Sequence, residues 1–278
     1  LTGAISGLSG ANKLTGAGDF VSGVADLTVL GMKYTGNAAT GTFTATSATG
    51  GYTGTSAGVV VTAGGATKFV IAGSSTQTAG VGQNLTITAQ DANGNTDLTY
   101  TGDRSLTFSG ANASTNPVTL PTVKDKTGAS VAFGTATTIT FTNGVAAVSG
   151  GNNGVMTLYK AESASIAATA TGVTTPAPLG VVVSASGMSK FVMSLTSPQS
   201  SGVAFTGTNT LTAQDAYGNT AAFSASTNNV TLAAVTPLTG AISGLSGANK
   251  LTSALDFVSG VADLTVLGMK YTGNAATG

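Results

Sequence analysis

Asp91-Ala-Asn93-Gly-Asn95-Thr-Asp97 sets side-chain oxygens at alternate positions, the spacing with which a short acidic loop begins to wrap a hard cation. Calcium takes roughly six to eight oxygens, and the full loop pattern also wants a glutamate at the position that Gly102 holds here. A Ca²⁺ ion near Asp91, Asn93, Asn95 and Asp97 is therefore one expectation, and a plain turn is the other. In the turn, Asp91 accepts backbone N–H bonds and Gly94 tolerates positive φ. A second hairpin, Asp215-Ala-Tyr-Gly-Asn219, keeps only the leading aspartate and the closing asparagine, so the turn explains what the two share and is the preferred reading.

Lys68 and Lys190 stand beside Phe69 and Phe191, and with asparagines and Glu162 available a spontaneous Lys–Asn crosslink is conceivable. It needs a buried lysine next to an asparagine and an acid; a lysine guarding an exposed strand edge is the commoner use. The chain has no His and no Cys, so the usual bases and nucleophiles are missing. Gly7-Leu-Ser-Gly-Ala11 lacks the second glycine of a nucleophile elbow, and Gly16 to Gly23 is too ordinary in a Gly-rich chain to mark a nucleotide loop. No enzyme is expected, and no catalytic, cofactor-binding or metal residue is assigned. Asn84-Leu-Thr86, Asn112-Ala-Ser114 and Asn229-Val-Thr231 fit the N-glycan acceptor pattern, which a chain so rich in Asn, Ser and Thr also meets by chance.

These groups sit in a chain of 278 residues, ample for two or three cores, with ten basic and ten acidic residues and only 7% charged residues. Zero net charge removes the electrostatic footprint that a nucleic acid requires. The uncharged run from Tyr34 to Thr67 is broken by Gly, Ser and Thr and is no bilayer helix, so no membrane insertion is expected.

Apolar residues alternate with small polar ones in KFVIAG, NLTITAQD, TTITFTNG and GVVVSASG, the period of a half-buried strand. Turn signals such as DANGN, TNG, SGGNNG and DAYGN recur at about 8 to 12 residues, the rhythm of an antiparallel sandwich. Phe69, Phe108, Phe133, Phe141, Phe191 and Phe205, with Tyr100 and Tyr159, are expected between sheets.

Repetition organises these strands. Residues 1–41 recur as 238–278 at an offset of 237, changed only at Gly16/Ser253 and Gly18/Leu255. A weaker repeat runs at half that period: Lys68-Phe-Val and NLTITAQDANGNT match Lys190-Phe-Val and NTLTAQDAYGNT. FTNGVAAVS (Phe141 to Ser149) matches FVSGVADLT (Phe20 to Thr28), and GVVVSA (Gly180 to Ala185) matches GVVVTA (Gly58 to Ala63). The expected organisation is the last part of a type B module at 1–64, a complete type A module at 65–185, and the first part of the next B module at 186–278. The chain would then be a window on a longer alternating array with period 237.

In order, KFV opening a strand, TAQD-A-x-GNT at the first hairpin, YTG before the next strand, and FTNGVAAVS with LYKAESASIAAT resemble bacterial Ig-like repeats of large surface proteins. The likeness is to the invasin/intimin type and filamin-like modules. It covers all of module A and both pieces of B, although B lacks YTG after DAYGNTAAF. The resemblance implies an all-β fold of tandem Ig-like antiparallel β-sandwich modules in a semi-rigid rod. It also implies an extracellular, cell-surface role as an adhesin stalk, surface filament or sheath. The expected partners are neighbouring modules of the same array, with lateral or head-to-tail self-association. Two alternatives stay open: a multivalent carbohydrate- or protein-binding module, and a filament subunit polymerising head to tail by strand complementation.

Overall fold

The alternating pattern resolves into strands throughout. The structure is a computed structural model that describes residues 1–276, so Thr277 and Gly278, at the end of the 186–278 stretch, lie outside it. Among the described residues the chain is all-β with no helix. No helix there is long and apolar enough to cross a membrane.

The central stretch holds β7 (Lys68–Ala72), β8 (Thr76–Thr78), β9 (Gln83–Asn84), β10 (Thr86–Gln90), β11 (Gly102–Ser109) and β12 (Thr122–Lys124). It continues with β13 (Ser130–Ala132), β14 (Ala136–Phe141), β15 (Val145–Ala147), β16 (Val155–Thr157), β17 (Ser163–Thr169) and β18 (Leu179–Ser184). They form sheets ordered β15-β10-β7, β14-β11-β17-β18-β8 and β13-β12-β16-β9. Every pairing in them is antiparallel except β8 with β18. Because successive side chains point to opposite faces, β14 buries Thr137, Ile139 and Phe141 and turns Ala136, Thr138 and Thr140 outward. One apolar cluster takes Phe69, Ile87 and Ala146 from the first sheet and Leu106, Ile139, Ile166 and Val181 from the second, an arrangement compatible with a β-sandwich.

The carboxy-terminal stretch has β19 (Lys190–Ser194), β20 (Thr210–Gln214), β21 (Val230–Thr231), β22 (Ala241–Ser243), β23 (Lys250–Leu251), β24 (Val261–Asp263) and β25 (Lys270–Thr272). Its sheet β19-β20-β24 repeats the register of β7-β10-β15: Phe191 faces Ala213 as Phe69 faces Ala89, and Leu211 faces Ala262 as Ile87 faces Ala146. A second apolar cluster gathers Leu211, Leu251, Phe257, Leu264 and Met269. In the central stretch Phe69, Tyr100 and Phe141 pack with ring centroids 5.0 to 5.9 Å apart. Here Phe191, Phe223 and Phe257 make the same triangle at 4.9 to 6.0 Å, so Phe223 supplies the ring that the missing YTG would have brought.

The amino-terminal stretch pairs β1 (Gly3–Ser6) with β2 (Lys33–Gly36), β3 (Ala39–Gly41) with β6 (Val59–Val61), and β4 (Thr44–Thr46) with β5 (Thr53–Thr55). It contributes no residue to either apolar cluster. Its copy of the 41-residue unit nevertheless keeps the local geometry of the other. Leu8 bridges Ala11 as Leu245 bridges Ala248, and Asp19 accepts the Ser9 hydroxyl at 2.6 Å as Asp256 accepts that of Ser246. Short-range bonds thus keep this local geometry in a stretch that adds nothing to either apolar cluster. The two differing positions are not equally free: a Cβ on Gly18 meets nothing within 4 Å, whereas one on Gly16 would lie 2.8 Å from the Asp19 Oδ1 and needs a shift, and in the other copy the Ser253 hydroxyl accepts the Leu255 N–H at 3.2 Å.

Among the expected core aromatics, Phe69, Phe108 and Phe141 are fully buried. Phe133, Phe205 and Tyr100 pack against the clusters at partial burial. Tyr159 instead meets Tyr217, 5.0 Å between centroids, where the central and carboxy-terminal stretches join.

Candidate functional site

The oxygen-rich hairpins lie where one stretch hands over to the next. Asp91 is buried at the end of β10, and its N–H bonds the carbonyl of Asn95 to close the turn. Gly94 there has φ +91°, which a side chain would strain. The Asp91 Oδ1 accepts the N–H groups of Asn93 and Asn95, both at 2.9 Å. Its Oδ2 accepts Gly64 N–H at 3.0 Å and the Asn95 amide at 2.9 Å. Asp97 accepts the Thr99 N–H and hydroxyl on one oxygen and Ala66 N–H on the other. The two aspartates therefore hold the linker at Gly64 and Ala66.

The second hairpin repeats this design. Asp215 accepts Tyr217 and Asn219 N–H at 2.8 and 2.9 Å on Oδ1, and Ser186 N–H and the Asn219 amide at 3.0 and 2.8 Å on Oδ2. Ala221 stands near the place of Asp97, so one aspartate holds this linker instead of two.

Of the four residues considered for Ca²⁺, Asp91 and Asp97 are buried with their oxygens facing N–H and O–H donors, while Asn93 is exposed and contributes its backbone. The donors that hold these carboxylates occupy the lone pairs a cation would use. Among the described residues no group of three or more His, Cys, Asp or Glu side chains is placed to hold a metal ion.

Lys68 donates to the Ala92 carbonyl and Lys190 to that of Asn116, so neither lysine reaches Glu162. Glu162 instead accepts the Asn112 N–H and amide at 2.6 and 2.7 Å and lies 3.4 Å from Lys160. Lys160 stays partly open to solvent, unlike the enclosed lysine that a crosslink requires. Asn84, Asn112 and Asn229 are all exposed.

The junctions differ in closure. A cleft of about 360 Å³ opens at the first, between Tyr34, Val61, Asp91 and Asn93. At the second, Tyr217 takes the place of Asn93: its ring lies over Gly80, where a Cβ would clash, and its carbonyl accepts Asn116 N–H.

Burial raises the pKa of Asp91 and Asp215, but the Asn95 and Asn219 amides and the backbone N–H donors outweigh it and hold both below the ordinary aspartate value. Asp97 is also lowered, first by the Thr99 hydroxyl. A depressed folded pKa gives stabilisation that is complete above the unfolded value of about 3.9 and lost as pH falls through the folded value. We expect the Gly64, Ala66 and Ser186 amide resonances to titrate together with these carboxylates, at midpoints below pH ~3.9. NMR titration checks this; midpoints at or above the ordinary value contradict it.

No described protein family matches the chain, and no curated protein does. Among solved structures, a β-glycosidase from Bacteroides vulgatus is similar over 59% of this chain at 14% identity and a TM-score of 0.31. The chain spans only 20% of that protein, and a likeness so partial bears on neither fold nor activity.

Proposed function

We propose that the chain is a structural segment of an extracellular, cell-surface protein, a semi-rigid row of Ig-like sandwich modules that projects or connects and has no enzymatic activity. One observation carries the reading: the central and carboxy-terminal stretches repeat a sheet register and an aromatic triangle, each with its own apolar cluster, and each meets the stretch before it through a matching hairpin. Short linkers held by buried aspartates restrict the motion of neighbours, which is what a stalk or filament needs. The opening segment of the central stretch reaches both layers, β7 pairing with β10 in one sheet and β8 running parallel to β18 in the other, which supports the sandwich part of the reading. A surface of Thr, Ser and Gly with few charges offers proteases few basic sites, which suits an exposed location.

Antibodies against the central stretch should label intact source cells from outside. Label reached only after the cells are opened would overturn the surface assignment.

Head-to-tail assembly is a second reading, favoured by complementary gaps. The amino-terminal stretch carries β4 and β5 with every residue exposed, and the carboxy-terminal stretch leaves much of β19 uncovered.

A further inference from the structure

The two hairpins do more than turn the chain. Asn95 accepts Ala38 N–H at 2.8 Å through Oδ1 and donates to Gly36 O at 2.9 Å through Nδ2. Asn219 accepts Ala161 N–H at 2.7 Å and donates to Tyr159 O at 2.8 Å. Each asparagine thus grips a carbonyl and an N–H two residues apart on the preceding stretch. The gripped sequences, Gly36-Asn-Ala38 and Tyr159-Lys-Ala161, share only their last residue, so the contact reads main chain and not side chains.

We propose that the Asp-Ala-x-Gly-Asn hairpin is a docking element whose partner is the main chain leaving a strand of the neighbouring repeat, residues 36–38 at the end of β2 and residues 159–161 just past β16. Alternate residues of an extended strand present C=O and N–H on one edge. A primary amide carries an acceptor and donors in one plane, so it pairs with that edge as a further peptide group would. The second Nδ2 hydrogen returns to the aspartate, at 2.9 Å in the first hairpin and 2.8 Å in the second, which fixes the amide's orientation. The same aspartate oxygen binds the linker at Gly64 or Ser186. One hairpin therefore ties three pieces: its own turn, the linker behind it and the main chain leaving a strand of the preceding stretch. Aspartate at the gripping position offers no donor to the carbonyl, and alanine offers neither partner.

The inference rests on the repeat reading only in calling the partner a neighbouring repeat. It is tested on the full chain by amide exchange followed by NMR. Asn95→Ala is expected to speed exchange at Ala38 by roughly three- to tenfold, the scale of one lost hydrogen bond, and to leave Ala161 unchanged. Asn219→Ala is expected to do the reverse, with the Ala89 amide inside the core as control in both. Scalar coupling across the hydrogen bond between Ala38 N and the Asn95 side-chain carbonyl carbon, in the unsubstituted chain, is the readout if a variant fails to fold. Absent coupling, or exchange at Ala38 and Ala161 indifferent to the substitutions, overturns the docking role. These readouts see the bond alone, so the shape of the whole chain tests the row of modules separately.

Discussion

Replacing Phe141 with alanine is expected to destabilise the central stretch by about 3–5 kcal/mol, while the same change at Phe20 shifts stability by less than about 0.5 kcal/mol. The two phenylalanines open matching segments, FTNGVAAVS and FVSGVADLT, yet Phe141 is 1% exposed and Phe20 is 58% exposed. Phe257, in the near-identical copy of the Phe20 segment, is 6% exposed and belongs to the aromatic triangle. Its replacement is expected to cost about 3 kcal/mol and to act on the carboxy-terminal stretch alone. Transfer of a large ring out of water plus the cavity it leaves explains the two large effects, and at Phe20 there is neither transfer nor cavity. Several cores in one chain do not unfold as one two-state unit, so denaturant unfolding is to be read by exchange in each stretch separately. Equal losses at all three positions would contradict this.

A chain extended beyond residue 278 by a copy of residues 42–64 is expected to gain stability in its carboxy-terminal stretch and not in its central one. In the central stretch β17 and β18 follow the FTNGVAAVS segment, and Phe69 N–H bonds Thr174 O at 2.7 Å beyond β17. Phe69 and Ile71 are buried there, whereas their counterparts Phe191 and Met193 are 37% and 46% exposed. Residues 42–64 carry the sequences that match β17 and β18, TFTATSATG and GVVVTA. Each apolar side chain that becomes fully covered contributes up to about 1.5–3 kcal/mol. Exchange along β19 should slow and the midpoint of this stretch should rise, with a scrambled copy of the extension as control. Unchanged exchange in β19 would mean that these strands are not its missing partners.

Alternation with period two made the strands of the central stretch readable, and Ile87, Ile139 and Ile166 fall on the inner face that the pattern indicates. The hairpin at Asp91 was readable as a turn because Asp, Asn and Gly at those positions have local bonds to make. What Asn95 does beyond the turn was hidden, since its partners Gly36 and Ala38 lie more than fifty residues earlier and offer only main chain. Phe223 was missed for a related reason: the YTG motif is absent, but the ring is needed in space and not in sequence. Near-identical segments in unlike surroundings, as at Phe20 and Phe257, show the limit of local reading, because burial depends on which strands arrive from elsewhere.

Small-angle scattering of the dilute full chain tests the row of modules most directly. A compact globule of this length has a radius of gyration of about 19 Å. Modules in a row give a value well above that and a distance distribution with a long tail. A radius near ~19 Å, with a single symmetric distribution, would contradict the scaffold.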